Sequence, residues 1–383
     1  MLTRRHFGTL VASLAASSAG GMATASPQRA RGLFSHASLP EIPRMLNVAR
    51  VPALTYALIQ NGRIAESAAI GVTKVGDRPV SSSTYFDAAS LTKPIFATIV
   101  LALAKSGIVD LDKPLQDYKP VFEDPLSQTI TARHVLSHST GLPNWHFSLK
   151  EPIKSEFKPG TRWSYSGEGY FILLSVVEYL TKLSFAQLTE KFVFSQADMH
   201  RSSVVWTERI AADNAWPHDN SGDPMDDKLL TQRQSMVRYE FARKTGLPMD
   251  RWTTVDSLRA CEDNNEKPVP GNALPNAAFG LWTTAEDYAR FLIYASQDPR
   301  RAEVVAPMRG NLGWGLGWGL EVSSEGRFAW HWGDTSGVKN LFMLHLPSRT
   351  GMVIFTNGEN GLRVYRRLIR TGFLREFDAF LWV

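Results

Sequence analysis

Patterns typical of β-strands occur near both ends of this chain, and the long stretch between them has a different pattern. Ala53–Gln60 alternates as a strand, residues 61–62 (Asn-Gly) predict a two-residue hairpin turn, and Arg63–Ile70 predicts the returning strand. Clear strand patterns return from Gly313 onwards. A sheet built from these strands must bring the two ends of the chain together, so the residues between them form an insertion.

The remaining elements follow from hydrophobic periodicity. A final amphipathic helix is predicted at about Leu362–Ala379, and the stretch from about 115 to 275 has the pattern of helices and long loops, such as Tyr170–Leu180. The strands near the C-terminal end are predicted at Trp314–Val322, Arg327–Trp332, Asn340–Leu346 and Gly351–Asn357.

These elements predict an α/β (α+β) fold. We expect an antiparallel sheet flanked by N- and C-terminal helices, with an all-helical insertion lobe. The whole domain would span residues 30–383. Its sheet lobe would consist of about 30–115 plus 275–383, and its helical lobe of about 116–274.

The first 25 residues have the composition of an export signal. Arg4 and Arg5 are followed by Phe7, as in the twin-arginine motif, whose pathway carries folded proteins. A short run rich in Ala and Ser leads to a small-residue cleavage site at Ala25. The run is too short to span a membrane, so we expect a periplasmic or secreted protein without a stable membrane span. The alternative is an anchor helix that stays attached.

Charge and cysteine content exclude several classes of protein. The formal charge of +5 includes Arg4 and Arg5, so the chain without its first 25 residues carries +3. This small excess is spread out with no basic run, and we expect no nucleic-acid partner. The single cysteine, Cys261, excludes an intramolecular disulfide and any metal or iron–sulfur site built from several cysteines.

Ser90 and Lys93 begin a helix that is predicted to run to about Lys105. Residues 95–103 are almost wholly apolar, so this helix should be buried on all sides. Side chains three residues apart share one helix face, which lets the Lys93 amine reach the Ser90 hydroxyl. An apolar environment lowers the pKa of a lysine and makes its neutral amine a usable base. The alternative is a helix cap with a solvated lysine.

Two later segments complete a pattern of three. Tyr165–Gly167 (Tyr-Ser-Gly) precedes an apolar helix, and His331–Gly333 (His-Trp-Gly) lies at the end of a late strand. With the Ser-x-x-Lys pair, this order resembles the serine β-lactamase and penicillin-binding protein superfamily, whose markers are Ser-x-x-Lys, Tyr-x-Asn, and Lys-Thr-Gly or His-x-Gly. The resemblance is to its class C-like branch, with DD-peptidases and family VIII esterases. It covers about residues 40–365.

The resemblance implies a role for each matching residue. Ser90 would be the nucleophile that becomes acylated, and Lys93 and Tyr165 would move its proton, with the formal base left open. The backbone N–H groups of Ser90 and Asp334 would form the oxyanion hole, each worth about 3 kcal/mol. Such a protein would be a serine hydrolase acting on a small-molecule or peptide substrate, without a cofactor.

Two departures from the family pattern bear on the substrate. Gly167 stands where the family often has Asn, and His331 stands where β-lactamases usually have Lys, which would hold a substrate carboxylate. A histidine is only partly charged near neutral pH. We therefore expect a carboxylesterase or a D-amino-acid peptidase rather than a β-lactamase. The predicted substrate-binding residues are His331, Gly333, Asp334, Gly167 and Trp332.

Other candidate sites are weaker. His134 and His138, four residues apart, could share a helix face as metal ligands, but no third ligand stands at a suggestive spacing, and we expect no metal. Residues 313–319 alternate Gly with bulky residues, which favours a strand over a dinucleotide-binding loop. The oligomeric state stays open. Either a substrate cleft or plain packing would account for four aromatic residues, Trp145, His146, Trp314 and Trp332.

A second class of function is also compatible with the fold. A relative without turnover would bind cell-wall fragments or a protein partner, and the presence of Ser90, Lys93 and Tyr165 together argues against it. The loops between about 200 and 275 carry no readable motif, so the physiological substrate is left open.

Overall fold

The computed structural model describes residues 34–226 and 240–382. The predicted export signal at residues 1–25 therefore lies outside the described residues. The strands are β1 (Ala53–Gln60), β2 (Arg63–Gly71), β3 (Phe86–Asp87), β4 (Trp282–Thr283), β5 (Ala306–Pro307), β6 (Leu312–Trp314), β7 (Gly319–Ser323), β8 (Gly326–Thr335), β9 (Val338–His345) and β10 (Thr350–Thr356).

The helices of the described residues lie before, within and after these strands. Short 3-10 turns connect several of them, including one at Ala89–Leu91. The α-helices with both ends in the described residues are α1 (Ile42–Ala49), α2 (Thr92–Lys105), α3 (Ala132–Leu136), α4 (Gly167–Thr181), α5 (Phe185–Thr189), α6 (Glu208–Ala212), α7 (Thr254–Asp263), α8 (Ala285–Ala295), α9 (Gly361–Phe373) and α10 (Ala379–Trp382).

Eight of the strands form one sheet in the order β2-β1-β10-β9-β8-β7-β6-β5. Each neighbouring pair is antiparallel, and the N-terminal β1 pairs with the C-terminal β10 through Tyr56 opposite Ile354. Asn61 and Gly62 both have positive φ, as the tight β1–β2 hairpin requires. The predicted fold class is confirmed, since an antiparallel sheet carries helices and both ends of the chain contribute strands to it.

The sheet is covered on both faces because its central strands are apolar on both sides. Residues 53, 57 and 59 of β1 face one hydrophobic cluster, which includes α2, α4 and α8. Residues 54, 56 and 58 face the other cluster, which includes α1 and α9. Successive side chains of a strand point to opposite faces, so one strand serves both clusters. Helix α2 is thereby held against the sheet.

Two predicted elements differ in the structure. The predicted strand Trp314–Val322 is a hairpin of β6 and β7, because Gly317 turns the chain at a φ of +95°. A Cβ at Gly317 would lie 2.2 Å from the Cβ of Ala97, so only glycine permits this approach to α2. The predicted helix Leu362–Ala379 ends at Phe373, where Leu374 adopts a left-handed conformation.

The described residues between β3 and β4 contain helices α2–α7 and contribute no strand to the large sheet. Within the described ranges, no single helix is long and apolar enough to cross a membrane. The pair Gly167–Thr181 and Phe185–Phe194 passes that test only when taken together, with a bend of 81° between them.

Candidate active site

Ser90 lies in the 3-10 turn that leads into α2. The preceding residue, Ala89, has a φ of +47°, which is unusual for a side chain with a Cβ. The Asp87 carboxylate stabilises this turn by accepting the Ala89 N–H at 2.8 Å. The Asn340 amide of β9 holds the same segment by donating to the Asp87 carbonyl at 2.9 Å. Ser90 is therefore presented from a fixed turn.

Lys93 points back toward Ser90 from the first turn of α2. Its Nζ lies 3.1 Å from the Ser90 Oγ and donates to the Ala278 carbonyl at 2.9 Å. The side chain is 1% exposed, so it is not a solvated surface lysine. Burial lowers the pKa of Lys93 well below the usual lysine value. A neutral amine within hydrogen-bond reach of a serine hydroxyl can accept its proton.

Tyr165 is the third member of this group. The Lys93 Nζ lies 4.7 Å from the centroid of its ring. Its hydroxyl is buried and has no hydrogen-bond partner among the described residues. Burial raises the pKa of Tyr165, and the nearby Ser90 hydroxyl opposes part of that effect. A buried phenol that keeps its proton and is free to donate can transfer that proton to a leaving group.

His138 packs against the ring of Tyr165, a contact that the sequence did not indicate. The two rings pack with centroids 4.2 Å apart and planes tilted by 30°, and the His138 Nδ1 accepts the Ser166 N–H at 3.1 Å. His138 is fully buried, and burial with the nearby Lys93 keeps its pKa well below the usual histidine value. A neutral imidazole therefore fixes both the ring of Tyr165 and the backbone that follows it.

The end of β8 lies directly against the Ser90 turn. A Cβ at Gly333 would stand 2.3 Å from the Ala88 carbonyl oxygen, so this contact requires glycine. The neighbouring Trp332 and Asp334 line the cavity above Ser90. Asp334 is also held from β9, because its carboxylate accepts from Lys339 at 2.8 Å. The backbone at residue 334, the predicted second oxyanion donor, thus belongs to a fixed strand end.

His331 lies beneath the cavity rather than in it. The side chain is fully buried, and its Nδ1 lies 2.7 Å from the Trp332 carbonyl oxygen. Burial, helped by the nearby Lys93, lowers the pKa of His331 to about 3. The imidazole is therefore neutral at physiological pH and offers no cation to a substrate carboxylate. Its ring stacks on that of its sequence neighbour Trp332, with centroids 5.3 Å apart.

Gly167 makes room for a tryptophan. A Cβ on Gly167 would lie 2.5 Å from the Trp145 Cζ2, so the indole occupies the space that a side chain at residue 167 would need. Asn144 holds the start of α4, since its Oδ1 accepts the Gly167 N–H at 2.9 Å. Gly167 itself does not line the cavity, whereas Asn144 and Trp145 do. The departure from Asn at this position therefore has a steric cause.

A Gly167→Ala substitution tests that cause. The added methyl would press on Trp145, and we expect it to lower the free energy of unfolding by about 1–3 kcal/mol, as overpacking usually does. Gly169→Ala is the matched control on the same helix, because its Cβ would meet nothing closer than 3.6 Å. Thermal unfolding of both variants checks the prediction, and equal stability of the two would contradict it.

The cavity above Ser90 has a volume of about 650 Å³. Of the four aromatic residues singled out by the sequence, Trp145 and Trp332 line it. Trp314 is fully buried behind it, and His146 is not among the lining residues. Several residues that the sequence did not indicate also line it, namely Trp163, Val204, Val205, Trp206, Met249, Asn272, Phe279, Trp282, Thr335 and Trp382.

The two histidines considered as metal ligands are used differently. The His134 Nδ1 accepts the Thr131 N–H at 3.2 Å and thereby caps α3, while His138 contacts Tyr165. Over the two described ranges, no group of three or more His, Cys, Asp or Glu side chains is arranged to hold a metal ion.

Comparison with known proteins identifies one family and several distant relatives. Residues 42–374 match the Beta-lactamase family. Penicillin-binding protein 4* of Bacillus subtilis (strain 168) is 22% identical over 327 residues, which is 76% of this chain and 65% of that protein. Esterase EstB of Burkholderia gladioli is 26% identical over 316 residues, covering 70% of this chain and 75% of that protein. The chain thus spans slightly less than two thirds of the first relative.

Solved structures agree on the fold. A penicillin-binding protein homologue from Pyrococcus abyssi, described as octameric, superimposes with a TM-score of 0.67 at 17% identity, covering 90% of this chain and 79% of that one. The D-alanine carboxypeptidase AmpC from Burkholderia cenocepacia superimposes with a TM-score of 0.63 at 17% identity, covering 86% and 96%. At these identities the likeness concerns the fold alone.

Proposed function

This chain belongs to the beta-lactamase family, and from that premise we propose that it is an exported serine hydrolase that works through an acyl-enzyme on Ser90. The observation that carries the proposal is the buried contact of 3.1 Å between the Lys93 Nζ and the Ser90 Oγ, beside the unpartnered Tyr165 hydroxyl. All three groups meet at one cavity. Burial lowers the pKa of Lys93 and raises that of Tyr165, so it favours the neutral form of each group.

The proposed reaction has two halves. The Ser90 oxygen attacks a carbonyl carbon as its proton passes to Lys93, and the leaving group departs with a proton from Tyr165. Water then attacks the acyl-enzyme, with the same pair moving protons in reverse. Backbone N–H groups of residues 90 and 334 stabilise the oxyanion in both halves, at about 3 kcal/mol each.

For the substrate class, we propose an ester or amide, cleaved by a carboxylesterase or D-amino-acid peptidase type of activity. Two observations weigh against efficient β-lactam turnover, which remains the second candidate. His331 is buried and neutral, and Trp145 occupies the space beside Gly167. Among the curated relatives, both a penicillin-binding protein and an esterase match this chain.

The test compares the wild-type chain without residues 1–25 with its Ser90→Ala variant. A fluorophosphonate probe should label the wild type and not the variant, and only the wild type should hydrolyse p-nitrophenyl butyrate. Labelling no stronger in the wild type than in Ser90→Ala would instead favour a non-catalytic binding relative of the fold. Rapid hydrolysis of nitrocefin would favour the β-lactamase.

Export is proposed from Arg4 and Arg5 and the apolar run that follows them. We expect a fusion of residues 1–25 to a fast-folding fluorescent protein to reach the periplasm of a bacterium with a twin-arginine pathway. Changing both arginines to lysine should abolish that export while leaving the charge unchanged. Export that is equal in the two fusions would contradict the twin-arginine assignment.

A further inference from the structure

The walls of the cavity are unusually aromatic. Of the chain's 11 tryptophans, six line it, at residues 145, 163, 206, 282, 332 and 382. They form three groups of rings on different elements. Trp145 contacts Phe279 with centroids 5.6 Å apart, and Trp206 contacts Trp282 at 5.0 Å. In the third group, Trp163 and Trp332 contact Tyr165, and Trp382 contacts Trp163.

Trp382 brings the C-terminal helix α10 into this site. Its ring meets the edge of Trp163 with centroids 5.2 Å apart. The helix is anchored behind it, because Phe380 is buried in the sheet cluster and the Glu321 carboxylate accepts the Ala379 N–H at 3.0 Å. Trp382 remains 44% exposed, so one side of its indole is free to contact a ligand at the cavity rim.

Charged groups are few in the described part of the wall. The lining contains the carboxylates of Asp87 and Asp334 and one basic side chain, the Lys93 amine, which is buried against Ser90. Asp334 is compensated by Lys339. Burying an apolar group against the six indole rings would gain free energy, whereas taking up an unpaired carboxylate beside Asp87 and Asp334 would cost free energy.

We propose that the cavity is a subsite for uncharged esters whose acyl group is apolar, and that Trp382 determines this specificity from the C-terminal helix. The inference rests on the proposed hydrolase function and names its substrate class. An aromatic wall recognises an alkyl or aryl chain through its surface, whereas a substrate ending in a free carboxylate finds no unpaired cation among the described lining residues.

A panel of p-nitrophenyl esters isolates the two properties of the acyl group. Acetate and hexanoate differ in apolar length, while hexanoate and the adipate half-ester differ in one terminal carboxylate. We expect kcat/KM for hexanoate to exceed that for each of the other two by at least about tenfold. Equal values for hexanoate and adipate, or for hexanoate and acetate, would overturn the proposed subsite.

Trp382→Ala tests the residue. It should lower the ratio of kcat/KM for hexanoate over acetate by about fivefold, through a higher KM for hexanoate, and Trp382→Phe should retain most of the preference. Leu381→Ala is the matched control, since Leu381 is 88% exposed on the same helix and does not line the cavity. An unchanged ratio in Trp382→Ala, with an unchanged melting temperature, would overturn the assignment.

Binding to Ser90→Ala separates this inference from the hydrolase proposal. We expect this variant to bind the hexanoate ester more tightly than the acetate and adipate esters in isothermal titration. That result would support the subsite even if the wild type proved inactive, which would overturn only the proposed function. Equal affinities would overturn the subsite whatever the activity.

Discussion

Lys93→Met is expected to lower kcat/KM for ester hydrolysis by at least about a thousandfold without loss of the fold. The Lys93 amine is the one basic group within hydrogen-bond distance of the Ser90 Oγ among the described residues. Proton transfer by a positioned base contributes about 10²–10⁴-fold to rate, and here it also activates the nucleophile. Methionine fills a similar volume, so the buried helix should keep its packing.

The pH dependence distinguishes a lost base from a damaged fold. The wild type should lose kcat/KM as the pH falls through the pKa of Lys93, which burial holds well below 10.5. Between the lowered pKa of Lys93 in the folded protein and the ordinary value of 10.5 in the unfolded chain, Lys93 carries a proton only in the unfolded chain. The free energy of unfolding of the wild type therefore rises with pH over this range. Lys93→Met lacks this dependence. The amount by which its free energy of unfolding exceeds that of the wild type should therefore shrink as the pH approaches 10.5.

Steady-state rates and thermal unfolding from pH 5 to 10 check both statements. A Lys93→Met protein that retains a tenth of wild-type kcat/KM would remove Lys93 from the mechanism. A variant that loses activity together with its cooperative unfolding would show that the residue is needed for folding instead.

Tyr165→Phe is expected to lower kcat by at least about a hundredfold with a small change in KM. The phenol supplies the proton that the leaving group needs, while the ring supplies the contacts with His138 and Trp332 at centroid distances of 4.2 and 5.2 Å. Phenylalanine keeps those contacts. The stability of the variant should change little, because the ring packing of Tyr165 is retained.

Tyr170→Phe is the matched control for this substitution. Tyr170 is fully buried, and its ring lies 5.6 Å from the Lys93 Nζ, but its hydroxyl donates to the Leu136 carbonyl at 3.4 Å and does not line the cavity. We expect a stability loss of about 0.5–1.5 kcal/mol and little effect on kcat. Comparable losses of kcat in the two variants would contradict a specific role for the Tyr165 hydroxyl.

Much of this fold was predictable from local patterns. The alternation in Ala53–Gln60 and the Asn-Gly turn after it define a hairpin, and the apolar run in α2 defines a buried helix. The hairpin at Gly317 was missed because alternating Gly and Trp residues have the same period as a strand. Its turn depends on a close approach to Ala97, which is 220 positions away along the chain.

The candidate site was predictable only where local backbone structure alone brings the functional side chains of one short motif together. Ser90 and Lys93 meet because they lie on one helix face, three residues apart. The surroundings of His331 and Gly167 depend on distant segments, since the strand face beneath the cavity and the position of Trp145 are set by tertiary packing. Trp382 carries no motif, and its contact with Trp163 joins residues far apart in sequence.

The most direct measurement of the central claim is the position of the covalent intermediate. The chain without residues 1–25 would be mixed with a slowly released acyl donor, quenched in acid, digested and mapped by tandem mass spectrometry. The account predicts one acyl adduct, on Ser90 of the wild type, which is absent from Ser90→Ala. An adduct on a residue other than Ser90 in the wild type would contradict this account. Turnover of the substrate by Ser90→Ala would contradict it as well.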